Sequence, residues 1–296
     1  MSLMRKLPLT PTVPPARVGG EGVVRRARPL LGTLVEMRVE GLRELQALAA
    51  IDAAFAEVEV VHRLMSFHET ESDLARVHRT RVGEAVALDA RTLEVLRCAL
   101  QIAELSSGAF DPSIAARAVA SGGLPWPDSP FVPQAQASWR DIELLDAQHV
   151  RLRRPLWLDL GGIAKGYAVD RAIEILMRAG ATQACVNAGG DLRIAGPRTD
   201  AVTLRIAQCD AAHTVELRDG AIATSASASL FARANMVEAC DCLGASVAAP
   251  RCMLADALTK VALLADAETA GATLAHFDAQ AVIHARDGWR GLAHAA

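Results

Sequence analysis

The sequence predicts a mixed fold, α+β or α/β. Helical-period apolar stretches alternate with short strand-like runs along most of the chain, and no internal repeat is visible. The composition is also that of an ordinary globular protein, with 51% hydrophobic and 22% charged residues among 296. A chain of this length buries most of its unfolded surface and needs no disulfide or structural metal. The net charge of −3 and the 4% aromatic content argue against a basic or base-stacking nucleic-acid surface. No run of about 18 apolar residues is present to span a bilayer.

The elements follow in order. Residues 1–26 read as a mobile Pro/Gly-rich arm, interrupted by Pro8, Pro11, Pro14 and Pro15. The arm has no continuous apolar core of the kind an export signal needs. As written, the chain reads as cytoplasmic; with a native export signal ahead of Met4 it would be periplasmic. Thr33–Val39 alternates apolar and polar residues and predicts a half-buried strand. Arg43–Leu64 carries Leu45, Leu48, Ile51, Phe55, Val58 and Val61 at helical spacing. Ser66–Val77 is irregular at first. Thr92–Leu105 is a second helix, stopped by Gly108. Residues 121–137, with four prolines, form a long loop. Arg140–Leu158 reads as two short strands, Gly166–Arg178 as a helix, and Gln183–Val186 and Leu192–Ala195 as strands. Val202–Ala207, Thr214–Leu217 and Ala221–Thr224 resemble a meander. Helices over Ala255–Ala265 and Glu268–Phe277 and a strand over Ala281–His284 complete the chain. The six cysteines form no C-x-x-C pair, and Cys240-x-Cys242 is too tight for zinc.

Three glycine-containing segments are candidates for chemistry: 107–113 (Ser-Gly-Ala-Phe-Asp-Pro-Ser), 158–166 (Leu-Asp-Leu-Gly-Gly-Ile-Ala-Lys-Gly) and 186–191 (Val-Asn-Ala-Gly-Gly-Asp). Glycines at the entrance to a helix let backbone N–H groups approach an anion, and Lys165 adds a positive charge there. The spacing fits neither a P-loop nor a dinucleotide fingerprint. Each segment alone is equally compatible with a tight turn between packed elements; together they point to an anionic ligand. Asp170 and Arg171 fit a solvated helix surface, and Trp126 and Trp157 fit packing or loop anchors.

In this order the three segments resemble the ApbE family of FAD:protein FMN transferases. Smaller pieces agree: Leu31-Gly32-Thr33, Met65-Ser66-Phe67-His68 with Ser72, Ala223-Thr224-Ser225, and 255–259 (Ala-Asp-Ala-Leu-Thr). The similarity runs from about residue 27 to the end, so 27–296 reads as one transferase domain. The resemblance implies an α+β fold with mixed, largely antiparallel sheets covered by helices, in two closely packed lobes. It implies FAD as donor, Mg²⁺ as metal, AMP as product, and a target flavoprotein carrying a Ser/Thr acceptor hydroxyl. FAD hydrolysis to FMN and AMP, or FAD binding with weak or lost transfer, are the alternatives. Carried over by position, Leu31, His68, Ala109, Phe110, Asp111, Asp159 and Lys165 would contact FAD. Gly162, Asp256 and Thr259 would hold the metal, and Asp256 would also help deprotonate the acceptor.

The chain departs from the family pattern at several points. Leu31 stands for a Met and His68 for a flavin-stacking Tyr. Lys260 stands where the family has its metal-segment Thr, with Thr259 one residue early. Residues four apart share a helix face, so two outcomes are open: Lys260 pairs with Asp256 and its ammonium takes the metal's place, or Thr259 turns in as a ligand. Residues 235–239 replace a longer His- and Asp-containing segment, and Ser225–Ser229 lacks the family's Gly and Tyr.

Overall fold

A computed structural model describes residues 5–6, 22–206, 209–227, 242–286 and 288–292. Most of the arm, together with 228–229 and the replaced segment at 235–239, lies outside the described residues.

The fold is α+β. Strands β1 (Arg5–Lys6), β2 (Val24–Leu30) and β3 (Thr33–Glu40) are followed by helix α1 (Glu44–Met65), α2 (Asp73–Arg79), β4 (Ala85–Ala87), α3 (Ala90–Leu105) and α4 (Ala115–Ala120). The chain continues through β5 (Ile142–Leu144), β6 (His149–Leu152), α5 (Ala164–Arg178), β7 (Gln183–Ala188), β8 (Asp191–Ala195), β9 (Asp200–Ile206), β10 (Cys209–Leu217) and β11 (Gly220–Ala226). It ends with β12 (Cys242–Ala249), α6 (Cys252–Leu264), α7 (Ala267–His276), β13 (Gln280–Ala285) and β14 (Gly288–Leu292). The central sheet has eight strands in the order β14-β13-β12-β11-β8-β7-β3-β2. Each neighbouring pair in it is antiparallel. Smaller sheets, β4-β6-β5 and β1-β10-β9, flank it. One hydrophobic core cluster runs from α1, α3, α5 and α6 through the large sheet to Ile142, Val150 and Leu152 of the small one.

Several boundaries differ from the sequence reading. Strand β2 takes in Val24–Arg26 from the segment assigned to the arm, because its backbone pairs with β3 along its full length. A two-residue turn joins them, with Leu31 at φ 56° and Gly32 at φ 70°, the twist a tight hairpin prefers. Helix α2 takes up the later part of the 66–77 stretch and runs two residues past it; the Ser72 hydroxyl accepts from the Ala75 N–H at 3.0 Å and caps it. Residues 156–160 are not a strand. All but Asp159 are buried, but the Leu158 N–H donates to His78 Nε2 at 2.9 Å and the Asp159 N–H to the Pro112 carbonyl at 2.8 Å, instead of to a neighbouring strand. Strand β12 escaped sequence reading because it is inserted between β11 and β13 and buried along nearly its whole length. Such a strand has no polar face and shows no alternation.

Candidate active site

The site forms where α5 and α6 cross the sheet. These helices pack on each other, with α5 over β7 and β8 and α6 over β11 and β12. Their backbones approach so closely at Gly166 that a Cβ there would lie 2.3 Å from the Cys252 carbonyl oxygen. Only glycine permits this crossing. One turn later the buried carboxylate of Asp170 accepts from the backbone N–H groups of Cys252 at 2.9 Å and Met253 at 3.0 Å. Asp170 therefore caps α6 from a neighbouring helix and pairs with Arg193 at 2.7 Å. The surface role read from its helical position is corrected: Asp170 is fully buried. That distant cap also explains why α6 begins at Cys252, before the segment expected from local sequence.

Around this crossing lie two carboxylates and two ammonium groups. Lys165, in the first turn of α5, ion-pairs with buried Asp191 at the start of β8. Lys260 ion-pairs with buried Asp256, and its Nζ also donates to the Asp256 carbonyl at 2.8 Å. The second Asp256 oxygen accepts from the Gly166 N–H at 3.2 Å. Thr259 donates to the Asp256 carbonyl at 2.7 Å and meets Ser225 Oγ at 2.7 Å. A Cβ built on Gly162 would stand 3.4 Å from both Lys260 Cε and Phe110 Cε2. The Lys260 stem and the Phe110 ring thus both lie against the Gly162 turn. Burial and the adjacent Asp256 carboxylate push the Asp191 carboxyl up. Burial disfavours the Lys165 ammonium, yet Asp191 and Asp256 outweigh it and raise its pKa.

The structure brings Phe110, Gly162, Lys165, Asp256 and Thr259 of the expected site together. Asp159 belongs to the same loop and caps it by accepting from the Gly161 N–H at 2.8 Å. Asp111 stands beside Phe110 but turns to Ser113, accepting from its N–H and hydroxyl at 2.8 and 2.7 Å; Ala109 closes the preceding turn, its N–H donating to the Ser106 carbonyl at 3.0 Å. Leu31 and His68 have other surroundings. Leu31 lies at the β2–β3 turn, lining a groove with Pro29 and His62; Thr33 of that turn packs under Gly189. His68 follows α1, its N–H on Ser66 Oγ at 3.1 Å and its ring edge-on to Phe67. A cleft of about 560 Å³ lined by Asn187, Gly190, Thr203 and Thr224 opens elsewhere and contains none of the four charged groups. Asp191, Ser225 and Asp170 were missed as site residues. Asp191 was readable as the last residue of its glycine motif; the other two depend on partners far away in sequence.

This arrangement does not fit a divalent ion. Lys260 and the Gly166 N–H occupy the two Asp256 oxygens. The Thr259 hydroxyl is engaged by Asp256 and Ser225. Among the described residues no group of three or more His, Cys, Asp and Glu side chains could hold a metal, nor is any helix long and apolar enough to cross a membrane.

Comparison with known proteins bears on the same segments. Two curated relatives are named FAD:protein FMN transferase. The one from Treponema pallidum (strain Nichols) is 29% identical over 191 residues, 59% of this chain and 53% of that protein. The one from Vibrio cholerae is 30% identical over 183 residues, 57% and 55% respectively. The chain thus spans about half the length of the curated relatives it matches. Among solved structures, an ApbE protein from Thermotoga maritima superposes with a TM-score of 0.78 at 22% identity, covering 91% of this chain and 96% of the other. The flavin transferase ApbE from Vibrio cholerae gives 0.74 at 21%, with the same coverages. These likenesses establish the shared fold. The family model, described as the ApbE family, matches residues 31–283, from the β2–β3 turn through all three glycine-containing segments and the α5–α6 crossing into β13, and the chain is therefore a member of the ApbE family.

Proposed function

We propose that the chain is an FAD:protein FMN transferase, moving FMN from FAD to a Ser or Thr hydroxyl of a target flavoprotein. The observation that carries this reading is the convergence of Lys165 and Lys260 beside the Gly161-Gly162 turn at the start of α5. Two ammonium groups and the positive end of a helix suit a pyrophosphate. In the reaction the acceptor oxygen bonds the FMN phosphorus, the bond from that phosphorus to the bridging oxygen breaks, and AMP leaves with the bridging oxygen. The hydroxyl proton passes to water or a carboxylate. The lysines oppose the charge that develops on the phosphoryl oxygens. Phe110 supplies an apolar wall, and Asp159 shapes the turn. Asp256 is assigned to holding Lys260 and Gly166 in place, a role its two engaged oxygens support.

The test is incubation of the protein with FAD and a peptide carrying Ser/Thr-Gly-Ala-Thr, following AMP and peptide mass together. AMP with a peptide gaining FMN supports transfer. AMP and FMN without modified peptide indicates hydrolysis. FAD bound at equilibrium with neither product indicates a binding protein, the reading that the close Lys260–Asp256 pair favours. Asp159→Ala and Lys165→Ala are each expected to weaken FAD binding; unchanged affinity in both defeats the placement.

A further inference from the structure

We propose that Lys260 is a built-in cation: its ammonium stands on Asp256 where a divalent ion would otherwise bridge that carboxylate to the pyrophosphate, so the chain binds FAD without a divalent metal. The inference rests on the FAD reading of the site.

Four observations support it. First, Lys260 Nζ is held twice by one residue, on the Asp256 side chain and on its carbonyl at 2.8 Å. That four-residue spacing places both groups on one helix face. Second, the stem lies close against the Gly162 turn, and the side chain is only 15% exposed. A lysine there is not a surface residue free to swing away. Third, Thr259, the remaining oxygen ligand on the helix, is turned onto Ser225 and its own helix carbonyl. Fourth, Lys165 pairs with Asp191 and Lys260 with Asp256, so each of these two carboxylates already has a cation of its own. A divalent ion added to this group would face the Lys260 ammonium at short range, in a buried setting where repulsion is weakly screened.

The experiment measures FAD affinity by equilibrium dialysis, in excess EDTA and in excess MgCl₂. It also titrates Mn²⁺ into the FAD-loaded protein, read by electron paramagnetic resonance. The unaltered protein is expected to bind FAD within about twofold equally in both buffers and to bind no Mn²⁺ at the site. Lys260→Thr removes the tethered charge and frees the space. Its FAD affinity is expected to fall about tenfold in EDTA and to recover with Mg²⁺, with one Mn²⁺ bound. Lys260→Met keeps most of the stem without the charge; its affinity is expected to fall in both buffers without recovery. If Lys260→Thr does not fold, the unaltered protein and Lys260→Met still decide. Mn²⁺ binding by the unaltered protein, or an EDTA-sensitive FAD affinity, overturns the proposal. Failure to bind FAD in either buffer overturns the site reading beneath it.

Discussion

The two faces of the central sheet solve the problem of buried polar groups differently. Adjacent residues of β11 show it. Ser225 points to the helices and meets Thr259, next to the charged Asp256–Lys260 pair. Thr224 points to the other side, bonding Ser246 Oγ at 2.7 Å, which in turn meets His284 Nε2 at 2.8 Å. The chain of contacts continues to Trp289, whose ring lies 3.8 Å from that of His284 and 4.6 Å from that of His213. The helix face thus buries ion pairs, and the opposite face buries a neutral relay. The pleat alone sorts the two, since consecutive residues of a strand face opposite ways. Charge is tolerated on the helix face because each of its carboxylates has cations or backbone N–H groups waiting for it.

Breaking the helix face should cost most. Asp170→Ala leaves Arg193 partly buried without its partner and removes the cap of α6. A stability loss of about 3–5 kcal/mol is expected in urea titrations. Gly166→Ala drives a Cβ into the Cys252 backbone, and about 1–3 kcal/mol, with weaker FAD binding as α5 and α6 separate, is expected.

Acid should sharpen the comparison. Burial lowers the pKa of His284 to about 4, with the charge of His213 adding to it, and burial lowers that of His78 to about 4. Both lie below the ordinary value of 6.5, so the unfolded chain takes up these protons first. Their stability is fully present above pH about 6.5 and is lost as pH falls toward 4, on the order of 3 kcal/mol for each. Asp170 and Asp191, raised chiefly by burial, act with the opposite sign: their contribution is greatest at low pH and is lost as pH rises through their folded values. His284→Gln should flatten the acid limb of a stability–pH curve; an unchanged limb would place the loss elsewhere.

The neutral relay alone is expected to matter less. Ser246→Ala unpairs Thr224 and His284 on the buried side and should cost about 1–2 kcal/mol, with FAD affinity unaltered. A comparable loss of FAD affinity would show that the two faces are not separable. Smallest of all is the exposed Arg28–Asp52 pair at 2.6 Å, where Arg28→Ala should change stability by less than about 1 kcal/mol.

The legibility of each part followed the range of its interactions. Helices α1, α3 and α5 were readable because their core contacts repeat at helical spacing, and Asp89 and Asp266 cap α3 and α7 from adjacent positions. Strand β12 was not, because neighbours on both sides hide its period. The glycine loops and Lys165 were readable as an anion site, since helix entrance and charge are local features. Asp170 was misplaced because its partners, Cys252 and Met253, are about eighty residues away. Leu31 and His68 were taken from the family pattern, since neither the β2–β3 turn nor the end of α1 carries a local signal for a ligand.

The sequence by itself determined the α+β composition, the glycine loops, the lysine at the head of α5 and the four-residue spacing of Asp256 and Lys260. That spacing allowed either a metal ligand set or an ion pair. Tertiary structure forms the ion pair, with the Lys260 stem against the Gly162 turn and the Thr259 hydroxyl on Ser225. Neighbours distant in sequence fix which atom reaches a carboxylate, and local spacing cannot encode them.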